Sequence, residues 1–326
     1  MLLTRLTCLL LLLIASSASA VTMAWSPIGN PANACNPLGP PDGCVGTVSY
    51  NYSIGTYEVT NAQYVEFLNA KAQSDPLGLY NTNMSDPSHS TDFGYGGITR
   101  AGDSGSYTYQ AIAGSENMPV NYVSFYDTLR FANWMSNGHG NGNTETGAYT
   151  LLGGTPVPSN ATTVTRNAGA SIVLPSENEW YKAAYYDGGT ASYFGWPTGS
   201  NTQTTCSGTP TATANYANCQ NLTGLKPVGS YTGSISPYGT FDQGGNVREW
   251  TEEFYSFSPG SRRARGGAFD SYVDDLSAGS SGGPYYVASG EGRTIGFRLV
   301  MIPEPNTGLL VIAGLLGLAG WRRASD

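Results

Sequence analysis

Three short stretches of this chain carry helix-starting chemistry, and that most restricts what it can fold into. In Thr60-Asn61-Ala62-Gln63 the Thr60 hydroxyl can accept from the first turn's amides while Gln63 reaches back, ahead of Tyr64, Val65, Phe67 and Leu68. Ser124 with Asp127 repeats the device before Leu129, Phe131, Ala132 and Met135. Ser176 with Glu179 repeats it again before Trp180, Ala183 and Ala184. Each box follows an extended apolar segment such as Ile172 to Leu174. Elsewhere Gly, Ser, Thr and Asn dominate, with brief strand-like pieces at 105–111, 265–269 and 295–300. Residues 137–169 lack periodicity and read as a long surface insertion. With 43 Gly, 22 Tyr and only 12% charged residues, a coiled coil or long helical bundle is excluded. A hydrophobic content of 40% excludes a chain that stays disordered throughout. The expectation is an α+β fold with short helices, short strands and long loops; 326 residues allow one large or two small domains.

The charge pattern narrows the partners. Lysine occurs only at Lys71, Lys182 and Lys226 and the net charge is -8, so nothing marks a phosphate-binding face and nucleic acid is disfavoured.

The two ends read as addresses. Arg5, the apolar run 9–14 and Ala18-Ser19-Ala20 form a leader cut after about Ala20; a retained anchor is the alternative, but the run is far short of the ~20 apolar residues a span needs. Cys8, inside the leader, lacks a lipoprotein-type context. Pro303-Glu304-Pro305, the apolar stretch 308–321 and Arg322-Arg323 resemble the PEP-CTERM sorting signal of Gram-negative bacteria. That stretch covers about 21 Å at ~1.5 Å per residue, less than the ~30 Å hydrocarbon core. The resemblance implies transient anchoring, cleavage by a dedicated sorting protease, and delivery to the cell surface or matrix; a plain single-span tail is the alternative. The parts are then a leader (1–20), an N-terminal extension (21–44), a folded body (45–301) and a sorting segment (302–326).

Four cysteines remain: Cys35, Cys44, Cys206 and Cys219. An even number in an exported chain suggests disulfides, and three connectivities are possible. The local pairs, Cys35 with Cys44 and Cys206 with Cys219, close short loops rich in Pro, Gly or Asn and read as structural. Neither spacing is the CxxC of a redox pair.

Six segments occur in order: YEVTNAQYVEFLNA from Tyr57, MPVNYVSFYDTLRFANWM from Met118, LPSENEWYKAAYY from Leu174, GGNVREWTEE from Gly244, RGGAF from Arg265 and IGFRLV from Ile295. Together they resemble the formylglycine-generating enzyme, or sulfatase-modifying factor, family. The resemblance implies a single irregular α+β domain related to C-type lectins. The family spans several chemistries, iron-dependent sulfoxide synthesis among them, so fold does not settle function.

In the family's oxidising members two Cys hold copper, the first four positions after the second Gly of the RGG-type motif and the second five further on. Here those positions are Ser271 and Leu276. A hydroxyl and an isobutyl group cannot hold Cu(I), which selects soft sulfur, so no copper and no formylglycine-generating activity are expected. An iron site needs clustered imidazoles, and the two histidines, His89 and His139, lie in loop-like sequence. Ser271 also lacks a GxSxG setting.

The resemblance further implies a structural calcium site, mapped onto Asp242, Gly245, Val247 and Glu249. Two carboxylates around a Gly-rich bend suit a hard cation that takes six to eight oxygens; the alternative is that Glu249 pairs with an arginine and Asp242 caps a turn. A second family calcium site would begin at Asn215 and Tyr216 but lacks its acidic partner. Trp250 reads as core. Two functions remain open. One is a non-catalytic binding module that displays loops and aromatic residues to a surface glycan or protein. The other is an exported oxidoreductase-type enzyme of unidentified substrate.

Overall fold

The computed structural model describes residues 21–37, 43–87, 95–220, 223–254, 258, 260–280 and 285–303. The leader, the sorting segment beyond Pro303, and His89 lie outside the described residues.

All three capping boxes close as the sequence predicts. Thr60, Ser124 and Ser176 accept from the amides of Gln63, Asp127 and Glu179, and each of those side chains returns the bond. They start α1 (Asn61–Lys71), α2 (Phe125–Ser136) and α3 (Glu177–Tyr185). Each box satisfies backbone donors that a helix end leaves orphaned, worth about 1 kcal/mol. α2 is buried along almost its whole length, from Phe125 to Met135. A helix apolar on several faces belongs in a core, and here Phe131 meets Tyr64, Phe67, Trp134 and Phe297 with ring centroids 5.3–6.0 Å apart.

The strands are short. In chain order they are β1 (Trp25–Ile28), β2 (Tyr52–Gly55), β3 (Ile98–Ala101), β4 (Thr108–Ala111), β5 (Ile172–Val173), β6 (Tyr186–Asp187) and β7 (Ser192–Tyr193). There follow β8 (Thr205–Cys206), β9 (Tyr216–Ala217), β10 (Arg248–Phe254), β11 (Ser261–Arg265), β12 (Tyr285–Val287), β13 (Ile295–Gly296) and β14 (Val300–Met301). One sheet has the order β1-β2-β14-β5 and a second β12-β11-β10-β13, with β10 and β13 parallel. The first strand and the last therefore flank β2 in one sheet, with Ile54 paired to Val300.

Some expectations shift. The strand placed at 265–269 ends at Arg265, because Gly266 and Gly267 turn away with φ of +93° and +70°. The piece at 105–111 begins only at Thr108, and that at 295–300 is interrupted into β13 and β14. The stretch 137–169 is not merely superficial. It buries Ala148, Tyr149, Leu151 and Val164, and its carbonyls at Thr155 and Pro156, with the Glu145 carboxylate, hold the buried Arg130. Both local disulfides form, Cys35–Cys44 with Cα atoms 5.3 Å apart and Cys206–Cys219 at 4.8 Å.

Candidate functional site

The loop that enters β10 is wound tightly. Asp242, Gly245 and Asn246 have φ of +59°, +90° and +59°. A Cβ on Gly245 would lie 2.3 Å from the Asn218 carbonyl, so only glycine lets these two backbones approach. Asn246 pins the loop: its side-chain Oδ1 accepts from the Asn218 side chain and the Lys226 amide at 3.0 Å each.

Glu249, one residue into β10, is fully buried. Its carboxylate accepts from Arg298 Nε at 2.5 Å and Nη2 at 2.6 Å, and from Trp180 Nε1 at 2.7 Å. Arg298, also fully buried, spends its remaining donors on the carbonyls of Gly55 and Phe241 at 2.9 Å. This fork ties β10 to the first sheet and α3. The arginine partner named in one reading of Glu249 is Arg298, and Glu249 Oε1 keeps one lone pair beyond that bond.

Asp242 is only partly enclosed, and its Oδ2 accepts from the Gly229 amide at 2.5 Å. Burial pushes its carboxyl up to about 6, against the pull of that bond and of Arg298. Glu58, which sequence reasoning passed over, faces the same region. It is buried, and neither carboxylate oxygen has a hydrogen-bond partner. Burial first, and then the neighbouring Asp242, hold it well above the usual carboxylate range. An ionised carboxylate left this way is among the most costly groups a fold can bury. Its only legible signal is a charge set between Tyr57 and Val59 in the YEVTN segment.

Among the described residues, no three His, Cys, Asp or Glu side chains are arranged to hold a metal ion. Asn215 is committed elsewhere: its side chain accepts from Thr198 and Thr204 and donates to the carbonyls of Thr202 and Gln203. His139 packs edge-on against Trp134. Trp250 is core, as expected, with Nε1 donating to the Val123 carbonyl at 3.0 Å.

At the two positions after the RGG motif, Ser271 is buried and its hydroxyl accepts from the Ala268 amide at 2.8 Å. Leu276 is fully buried among Trp196, Ala217 and Cys219, beside the Cys206–Cys219 disulfide. Its isobutyl group fills the gap between two glycines: a Cβ on Gly267 would lie 2.7 Å from one methyl and one on Gly244 3.3 Å from the other. The Leu276 carbonyl accepts from the Tyr185 hydroxyl at 2.9 Å. The Leu276 side chain thus occupies the space beside both glycines.

The sulfatase-modifying factor enzyme 1-like domain model matches residues 44–302. The chain belongs to this family. A search of curated proteins finds no match. Two solved structures are similar: CarF, at 19% identity and a TM-score of 0.55, covering 87% of this chain and 99% of that one, and Treponema denticola variable protein 1, at 19% identity and 0.52, covering 88% and 98%. At these identities the likeness shows the sulfatase-modifying factor fold alone, a mixed arrangement of few helices and many short strands.

Proposed function

We propose that this sulfatase-modifying factor-like protein is an exported binding module, stabilised by calcium, that does not make formylglycine. The carrying observation is Leu276, whose packing between Gly244 and Gly267 replaces the second soft ligand with a hydrocarbon plug. Ser271, the other position, spends its hydroxyl on a backbone amide. The unpartnered Glu58 carboxylate supports the cation. With Asp242 and the carbonyls of Gly245 and Val247 it would offer the hard oxygens that calcium takes, while Glu249 holds Arg298 beside them. When bound, calcium supplies the positive charge that lets Glu58 and Asp242 stay ionised. Export through the leader and release at the Pro303-Glu304-Pro305 tail by a sorting protease belong to the same reading. Since β1 and β14 flank β2, leader and tail would leave the body at one sheet.

The test is conversion of a sulfatase-motif Cys peptide with copper supplied. The expected result is no turnover above a no-enzyme control. Clear turnover would restore the oxidoreductase-type alternative.

A further inference from the structure

β10 leaves the Asp242–Glu249 region and ends at a second feature. A cavity of about 240 Å³ opens there, lined by Phe125, Tyr149, Val164, Arg166, Glu252 and Phe254, with Thr165, Ser176 and Glu253 beside them. It is removed from Ser271 and Leu276, which sit near the other end of the strand. One cation contacts both phenylalanines: the Arg262 guanidinium lies 4.4 Å from the Phe125 ring centroid and 3.2 Å from that of Phe254.

The polar side is a fixed network. Arg166 donates through Nε and Nη2 to Glu252, at 3.1 and 2.9 Å, and through Nη1 and Nη2 to Glu179, at 3.1 and 2.9 Å. Nη2 also reaches the Leu174 carbonyl. The Tyr149 hydroxyl donates to Glu252 Oε1 and accepts from the Leu174 amide. Glu253 has a partner of its own. Counting donors and lone pairs, one Nη1 hydrogen of Arg166, one lone pair of Glu252 Oε2, the Ser176 hydroxyl hydrogen and the Thr165 hydroxyl remain among the described residues. Arg166 and Arg262 offset Glu179 and Glu252, and the exposed Glu253 adds one further carboxylate at the margin. What is left to a ligand is thus one donor, one acceptor and two hydroxyls beside an aromatic ring, a set matched by the hydroxyls and C–H face of a sugar ring. The volume lies below the roughly 300–1,000 Å³ of sites for drug-sized ligands, so it takes one ring rather than a chain.

We propose that this cavity binds a single neutral sugar ring, its C–H face against Phe254 and its hydroxyls shared between Arg166 and Glu252. This rests on the binding-module reading and names the ligand class. The probes are glucose, galactose, mannose and N-acetylglucosamine, with arginine amide and glucuronate as charged controls. Each is offered to the folded protein in millimolar calcium and read by saturation-transfer NMR and thermal melting. At least one neutral sugar is expected to show transfer and to raise the melting temperature by about 3 °C at ten times its Kd. Phe254→Ala should weaken that sugar tenfold or more. Should Phe254→Ala not fold, Thr165→Val, at an exposed position, should weaken it several-fold with an unchanged melt. Binding of only a charged control, no binding by any probe, or binding indifferent to the variants overturns the proposal. An absence of sugar binding with no formylglycine formed leaves the module reading standing; formylglycine turnover removes that reading whatever the sugars do.

Discussion

Asp242→Asn offers the most direct test of the cation, because the substitution should stabilise the protein in chelator and remove most of its response to calcium. In chelator, burial raises the Asp242 carboxyl from 3.8 to about 6. A carboxyl raised in the folded state binds its proton more tightly there than in the unfolded chain. Stability therefore falls as pH rises from about 4 to about 6 and stays lower above that. At about 1.4 kcal/mol per pKa unit, the two-unit rise costs up to about 3 kcal/mol at pH 7.5. The Asn variant keeps an oxygen for the Gly229 amide but carries no charge, so in chelator it should melt above wild type, by up to about 10 °C for a domain of this size. Calcium should narrow or close that gap. Extracellular sites bind with Kd around 10⁻⁴ to 10⁻³ M, so 10 mM calcium should stabilise wild type by about 1.5–2.7 kcal/mol and the variant far less. The calcium effect should also shrink from pH 7.5 to pH 5, as protons compete for Asp242. Scanning calorimetry of both proteins at pH 5 and pH 7.5, in chelator and in calcium, reads all of this. If wild type is indifferent to calcium and Asp242→Asn melts below it in chelator, the carboxylate serves only the Gly229 bond and the cation reasoning fails.

Glu249→Gln should destabilise by about 3–5 kcal/mol in calcium and in chelator alike, since it strands the buried Arg298; denaturant melts giving a loss only in calcium would make metal ligation its main role. Leu276→Ala should cost about 2–5 kcal/mol by leaving a void between Gly244 and Gly267, and a loss under 1 kcal/mol would contradict the close packing there. Intact-mass analysis of surface fractions from a host with the sorting protease should find the chain beginning near Val21 and lacking the apolar tail; retention of Met1 and Asp326 would refute the export reading.

Interactions short in sequence could be read without coordinates. Thr60 with Gln63, Ser124 with Asp127 and Ser176 with Glu179 lie three residues apart, so the pattern alone implies the geometry that starts each helix. The two disulfides close loops of 9 and 13 residues, where proximity along the chain favours the local pairing. The residues at the copper positions were likewise legible by spacing from Arg265-Gly266-Gly267. What the sequence could not supply was which distant groups meet. Arg298 lies 49 residues from Glu249, and only the packing of β10 against the first sheet decides that the carboxylate is spent on a guanidinium. Glu58 reads as an ordinary charge beside apolar neighbours until the fold shuts out water and leaves it without a donor. Leu276 signals the absence of a thiol in one dimension, but that it fills the gap between two glycines 32 and 9 residues away appears only in three. Local hydrogen bonding is written in short spacings; burial and charge pairing depend on which surfaces the whole chain brings together and so belong to the tertiary structure.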